Sequence, residues 1–130
     1  MLKIFQVSTN SRTEMIDITL EIQKIVQESK KQEGLCCIFN PHTTAAVTIN
    51  ENADASVQRD ILHELNKIIP FEDKYSHLEG NSAGHIKSSL VGSSVNVIIE
   101  NGMLKLGTWQ GIYFCEFDGP RTRKIWVKII

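Results

Sequence analysis

The sequence predicts an α+β protein in which two helices pack on a mostly antiparallel sheet system. Three observations carry this. Apolar residues recur at helical spacing in two separate segments. Elsewhere they alternate or form short apolar runs. The last third reads as successive strands joined by the turn pairs Gly92-Ser93, Asn101-Gly102 and Asp118-Gly119. At 130 residues, 42% of them hydrophobic, the chain suits one domain spanning 1–130 with a real core.

The elements follow in order. "LKIFQVST" has strand composition, and after an Asn-Ser turn Met15, Asp17 and Thr19 alternate with Ile16 and Ile18. The period then changes to helical. Ile18, Ile22, Ile25 and Val26 share one face, Thr19 is placed to cap the helix and Gly34 to stop it. "LCCIFN" is a buried strand broken by Pro41, and "TTAAVTIN" resumes as strand. The second helix is "ADASVQRDILHELNKII", with Val57, Ile61, Leu65 and Ile68 as its stripe and Pro70 at its end. The loop "FEDKYSHLEGNSAGH" follows. The strands "IKSSLVG", "SVNVIIENG", "TWQGIYFCEFDG" and "TRKIWVKII" complete the chain.

Charge and composition narrow the function. Fourteen basic and fifteen acidic side chains give a net charge of −1, so no global basic field for nucleic acid exists. No apolar run approaches the roughly 20 residues that span a bilayer, which argues against a membrane partner. The start "MLKIFQVSTN" lacks a long apolar stretch, and the expectation is a cytoplasmic protein. Cys36, Cys37 and Cys115 are odd in number and lack CxxC spacing, so they read as small buried hydrophobes.

Three of the four histidines stand at element ends: His42 after "NP", and His77 and His85 at either end of the glycine-rich loop. Three imidazoles are a sufficient ligand set for a zinc-like ion with one position open, and Glu79 offers a fourth ligand or a base. The H-x₇-H spacing matches no zinc signature, so hydrogen-bonded turn histidines remain an alternative. His63 falls on the helix face opposite the apolar stripe and reads as solvated. Asp54 precedes the second helix, as a first-turn cap or as a carboxylate facing a pocket. "GNSAG" can bring backbone N–H groups close to an anion, and Lys87, Arg121, Arg123 and Lys124 can supply cations for a phosphate. Strand alternation places Arg121 and Arg123 on one face; the alternative is an edge strand carrying guard charges.

The segments "FNPHTTAAVTINENAD", "HLEGNSAGHIKSSLVG" and "LGTWQGIYFCEFDGPRTRK" together resemble the YjbQ family, often described as secondary thiamine-phosphate synthase. The resemblance covers nearly the whole chain. It implies an α+β fold of its own class, a homotrimer, and a clustered site holding a metal or an anion. Carried over by motif, His77, Glu79 and His85 are catalytic, and His42, His77 and His85 hold a divalent metal, zinc-like or Mg²⁺. Thr43, Asn81, Lys87, Trp109, Gln110, Arg121 and Arg123 bind a phosphorylated metabolite, with Glu51 and Asp54 as further site carboxylates. The sequence departs at Gly84, where the family often has a larger residue; this should loosen the loop. The implied reaction joins a pyrimidine diphosphate to a thiazole phosphate, giving thiamine phosphate and pyrophosphate. The alternatives are a metal- and phosphometabolite-binding protein or a metal-dependent hydrolase with Glu79 as base.

Overall fold

The computed structural model describes residues 1–130 as two antiparallel sheets and three helices. The elements are β1 (Leu2–Ser8), β2 (Glu14–Asp17), α1 (Thr19–Ser29), β3 (Glu33–Phe39), β4 (Ala45–Glu51), α2 (Ala55–Ile68), α3 (Ser82–Val91), β5 (Ser94–Glu100), β6 (Met103–Leu104), β7 (Gln110–Glu116) and β8 (Thr122–Ile129). Five strands pair in the order β1-β8-β3-β5-β6, and three in the order β2-β7-β4. No helix is long and apolar enough to cross a membrane.

Alternation explains the main core. Val7, Ile38, Val97, Ile125 and Val127 point inward from the large sheet, and Val47, Ile112 and Phe114 from the small one. Helix α1 closes this layer with the fully buried Ile22 and Val26. The other face of the small sheet carries Ala46, Tyr113, Cys115 and Phe117, against which Leu62 and Leu65 of α2 and Val91 of α3 pack. The three cysteines are unpaired, and burial pushes the thiols of Cys36 and Cys115 up to about 12. Cys36 and Cys115 are therefore inert packing groups at neutral pH, while Cys37 is only partly buried.

The first helix differs in its ends. Ile18 is the N-cap, while Thr19 takes the first helical position and hydrogen-bonds Asp17. The helix stops at Lys30, in the left-handed region at φ 58°, four residues before Gly34. Asp54 does cap α2, accepting from Ser56 N–H at 2.9 Å. That hydrogen bond holds its carboxyl below the usual range.

The larger correction is that "SAGHIKSSLV" is helix α3, where the sequence suggested loop and then strand. Its buried residues are Ala83, Gly84, Lys87 and Ser88, while Ile86 and Leu90 are exposed. The apolar residues lie outside and the small or polar ones inside, so hydrophobic periodicity is blind to it. Gly84 makes the packing possible: a Cβ there would stand 2.9 Å from Phe117 O and 3.4 Å from Thr44 Cβ. The glycine docks the helix and does not loosen a loop.

Candidate functional site: a polar pocket at the start of α3

The pocket forms where the β3–β4 turn, α3 and the β7–β8 turn converge. Asn40, 1% exposed, builds the first wall. Its amide donates to the carbonyls of His42 (3.0 Å) and Ala45 (2.7 Å), and its Oδ1 accepts from His42 N–H at 3.1 Å. This clamp explains the local sequence: Pro41 breaks the strand and Asn40 bonds the turn that presents His42 and Thr43. Helix α3 supplies the second wall. Asn81 is its N-cap, but the side chain makes no capping bond. The Asn81 amide donates instead to Asp118 Oδ2 at 2.9 Å, leaving its Oδ1 buried without a donor.

The resulting cavity has a volume of about 440 Å³. Pro41, His42, Thr43, Thr44, His77, Glu79, Asn81, His85, Arg121 and Arg123 line it, and none is a large hydrophobic. Eight of these were expected from the sequence: His42, Thr43, His77, Glu79, Asn81, His85, Arg121 and Arg123.

Beneath the pocket lies a buried charged spine. Glu116 is fully buried and Arg123 is 5% exposed. Arg123 donates through Nε to Glu116 Oε1 at 2.9 Å, and through its second nitrogen to Glu116 Oε2 and to Thr44 Oγ1 at 2.9 Å. Glu116 also accepts from Thr9 Oγ1 (2.8 Å) and Asp118 N–H (3.0 Å). Burial pushes the Glu116 carboxyl up, but the Arg123, Asp118 and Thr9 hydrogen bonds outweigh it and hold it below the ordinary value. Arg123 therefore reaches the pocket wall as a compensated structural charge. Arg121 is the freer cation: half-exposed, it donates to Asp118 O (2.7 Å) and Asp118 Oδ2 (2.9 Å). Asp118 thus orients both Arg121 and Asn81. Thr44, Glu116 and Asp118 escaped the sequence reading, although a carboxylate inside the apolar run "IYFCEF" with an arginine seven residues on is a signal of a buried pair.

The three histidines are not gathered into one cluster of metal ligands. His77 and His85 stand edge to face with ring centroids 5.4 Å apart. Two imidazoles sharing one zinc-like ion, at about 2.0–2.1 Å per bond, have centroids roughly 5 Å apart, so this pair is compatible with a shared ion. No group of three His, Cys, Asp or Glu side chains is close enough to complete it. His42 Nε2 accepts from Lys124 N–H at 2.8 Å, which places the proton on Nδ1 and leaves no free lone pair. Burial, then the nearby Arg123 guanidinium, lowers the His42 pKa, so the ring is neutral at pH 7. Glu79 Oε2 lies 3.9 Å from His77 Nε2 with both side chains substantially exposed, a weak contact.

Five expected residues lie elsewhere. Lys87, two positions beyond His85, points to the opposite side of a helix, whereas strand spacing would have kept the two together. Its Nζ donates to Asn66 Oδ1 at 2.6 Å and sits 4.2 Å from the centre of the Phe71 ring. Burial, then Arg12, pulls its pKa down to about 8. Glu51, Asp54, Trp109 and Gln110 sit at the far end of the small sheet, where Glu51 pairs with Gln110. Six residue steps along β4 place that end roughly 20 Å from the pocket.

Fold and pocket together define a small α+β protein with a polar pocket lined by imidazole, hydroxyl, amide, carboxylate and guanidinium groups. The comparisons agree with that class. Residues 3–130 match the family model described as UPF0047 protein YjbQ-like, and the chain belongs to this family. It is 54% identical to the UPF0047 protein YugU of Bacillus subtilis, over 100% of this chain and 99% of that one. It is 55% identical to the UPF0047 protein MJ1081 of Methanocaldococcus jannaschii, over 100% and 94%. A crystal structure of a YjbQ/UPF0047 family protein from Clostridium acetobutylicum superposes with TM-score 0.97 at 57% identity, covering 98% of this chain and 99% of that one. A YbjQ-like protein of unknown function from Sulfolobus solfataricus gives 0.95 at 32% identity, covering 99% and 95%.

Proposed function

We propose that the pocket binds a small phosphorylated metabolite. The observation that carries this reading is a cavity with no large hydrophobic in its wall, into which three imidazoles, the Arg121 guanidinium, the Thr43 hydroxyl and the uncapped start of α3 converge. Donors of that kind, fixed before the ligand arrives, suit phosphate oxygens. Arg121→Ala should weaken binding of inorganic phosphate by about 1.5–3 kcal/mol in calorimetry, the range for hydrogen bonds to charged groups. Unchanged affinity would remove the arginine from the site and the reading with it.

The reaction we attach to the site is the one the family resemblance implies: slow joining of a pyrimidine diphosphate to a thiazole phosphate, with loss of pyrophosphate. Leaving pyrophosphate gains negative charge, which Arg121 and the imidazole N–H groups of His77 and His85 are placed to meet. A divalent cation enters as the companion of the diphosphate, because the three histidines are not gathered into one cluster of metal ligands. A chelator should then abolish thiamine phosphate formation while leaving inorganic phosphate binding intact. If product forms equally in wild type and His85→Ala, the synthase reading gives way to a pure binding protein. His63, exposed on α2, is the control.

A cytoplasmic homotrimer completes the proposal. Its structural support is uncovered apolar surface: Ile4, Phe39, Ile98 and Trp126 are exposed on the outer face of the large sheet, and α2 has no fully buried residue. A second subunit can also bring the far end bearing Glu51, Asp54, Trp109 and Gln110 to a neighbour's pocket. A monomeric mass by light scattering at micromolar concentration would rule this assembly out.

A further inference from the structure

Lys87 is a buried cation that the pocket does not use. Its side chain is fully buried, and no carboxylate comes within ion-pair reach of it. Burying an ammonium without a counter-ion is unfavourable, and a methionine would fill the same space without that penalty. What the lysine adds is direction. Its Nζ donates to Asn66 Oδ1 at 2.6 Å, and the Asn66 amide donates in turn to Thr13 Oγ1 at 3.1 Å. The same Nζ sits 4.2 Å from the centre of the Phe71 ring, and the Arg12 guanidinium carbon sits 4.0 Å from it. Two cations repel each other, so the negative face of the ring is what draws both. Phe71 is thereby clasped by α3 and by the β1–β2 turn. That turn is tied to the β7–β8 wall of the pocket, since Arg12 O accepts from Gly119 N–H at 3.0 Å.

Phe71 begins the strap 71–80, which carries His77 into the pocket. Beyond Phe71 every hydrogen bond of the strap is local. Tyr75 N–H donates to Asp73 O, Lys74 N–H to Asp73 Oδ1, Gly80 N–H to His77 O, and the Tyr75 hydroxyl to Pro70 O. None reaches the sheets or α3. Leu78 at the tip is fully exposed, and His77 meets α3 through its edge-to-face contact with His85. The downstream end is fixed by the bond from Asn81 to Asp118 at 2.9 Å. The upstream end has only the Phe71 clasp.

We infer that Lys87 and Arg12 are positioning residues: by clasping Phe71 they hold the upstream end of the strap and so set His77 against His85 in the pocket. The inference rests on the phosphate reading for its ligand, and adds how that site stays assembled before the ligand arrives. Glu79 on the same strap repels an anion, so His77 is the group the clasp delivers. A strap that spends only part of its time in the binding pose weakens apparent affinity by that fraction. The loss cannot exceed the loss on removing His77 altogether.

The test uses the intact protein, with inorganic phosphate as the probe in calorimetry and ¹⁵N relaxation as the measure of strap motion. Phe71→Leu keeps apolar bulk and every charge but removes the ring; Lys87→Met removes the cation; Phe71→Tyr keeps the ring. Each is checked for fold by circular dichroism and for mass by light scattering. Phe71→Leu and Lys87→Met should each weaken phosphate binding about fivefold, the effect of a strap in place about one-fifth of the time. Order parameters over 72–80 should fall from about 0.85 to below ~0.6 while those of β7 and β8 stay rigid. Phe71→Tyr should match the wild type. In a His77→Ala background neither Phe71→Leu nor Lys87→Met should weaken binding further. Arg12→Ala, at an exposed position, should give a smaller loss of the same kind and carries the test if Lys87→Met does not fold. Unchanged affinity in Phe71→Leu and in the cation variants, with binding that still depends on Arg121, overturns the clasp and leaves the phosphate site standing. So does a loss that persists at full size without His77, or a strap already mobile in the wild type. Absence of phosphate binding in the wild type, or binding indifferent to Arg121, overturns both.

Discussion

Replacing Glu116 with glutamine tests the buried spine under the pocket. Glutamine has nearly the same volume, so no cavity opens; what changes is charge. Glu116 is fully buried and its partner Arg123 is 5% exposed, so the guanidinium is left without a counter-ion in a place water does not reach. The new amide also sets a donor against the donors of Arg123, Thr9 and the Asp118 N–H, all of which now bond the carboxylate. Breaking a buried pair from one side costs about 3–5 kcal/mol, a large share of the ~5–15 kcal/mol that holds a domain together. Urea unfolding at fixed protomer concentration would measure it. Adding Arg123→Met to Glu116→Gln removes the stranded charge and should recover much of the loss, giving a strongly non-additive cycle. The wild type should also show an acid signature. Because the folded-state pKa of Glu116 lies below the unfolded one, its contribution is full above the ordinary carboxylate range and is lost as pH falls through the lowered value. A cost under ~1 kcal/mol for Glu116→Gln, or additive single changes, would contradict a buried, mutually dependent pair.

Three further outcomes follow from the same contacts. Lys87 has a folded-state value of about 8 against 10.5 unfolded, so the folded chain gives up its proton first; wild type should gain stability relative to Lys87→Met as pH rises through that interval, read from urea midpoints. Gly84→Ala forces a Cβ against Phe117 O and should destabilise by about 1–3 kcal/mol, with α3 amides exchanging faster with deuterium. In an NMR pH titration, His42 should show a midpoint below the ordinary histidine value, and Arg123→Met should move it upward by removing a neighbouring positive charge.

The sequence displayed most strands and the amphipathic α2 because their apolar residues alternate across a sheet or recur along one helix face. Helix α3 escaped for the opposite reason. It buries Gly84, Lys87 and Ser88 and exposes Ile86 and Leu90, held by close approach to Phe117 O and by the Ser88 hydroxyl donating to Ala45 O. Such a helix is stabilised by fit and hydrogen bonding, which leave no hydrophobic period. That one misreading also misplaced Lys87, because residues two apart share a strand face and oppose each other on a helix. The pocket was legible in its residue types: histidines at element ends and arginines after a turn. Their division of labour was not. Arg121 and Arg123 look equivalent in "GPRTRK", and only the three-dimensional partners make Arg123 a buried counter-ion and Arg121 the freer cation.

The proposed phosphate site is the pocket between His42, Asn81, His85 and Arg121. A crystal structure of the protein soaked in millimolar inorganic phosphate, with an Arg121→Ala crystal treated alike, tests it most directly. The wild type should show phosphate density in contact with Arg121 and at least one imidazole, absent or weakened in the variant. Density only at other surfaces, or equal density in both crystals, would contradict it.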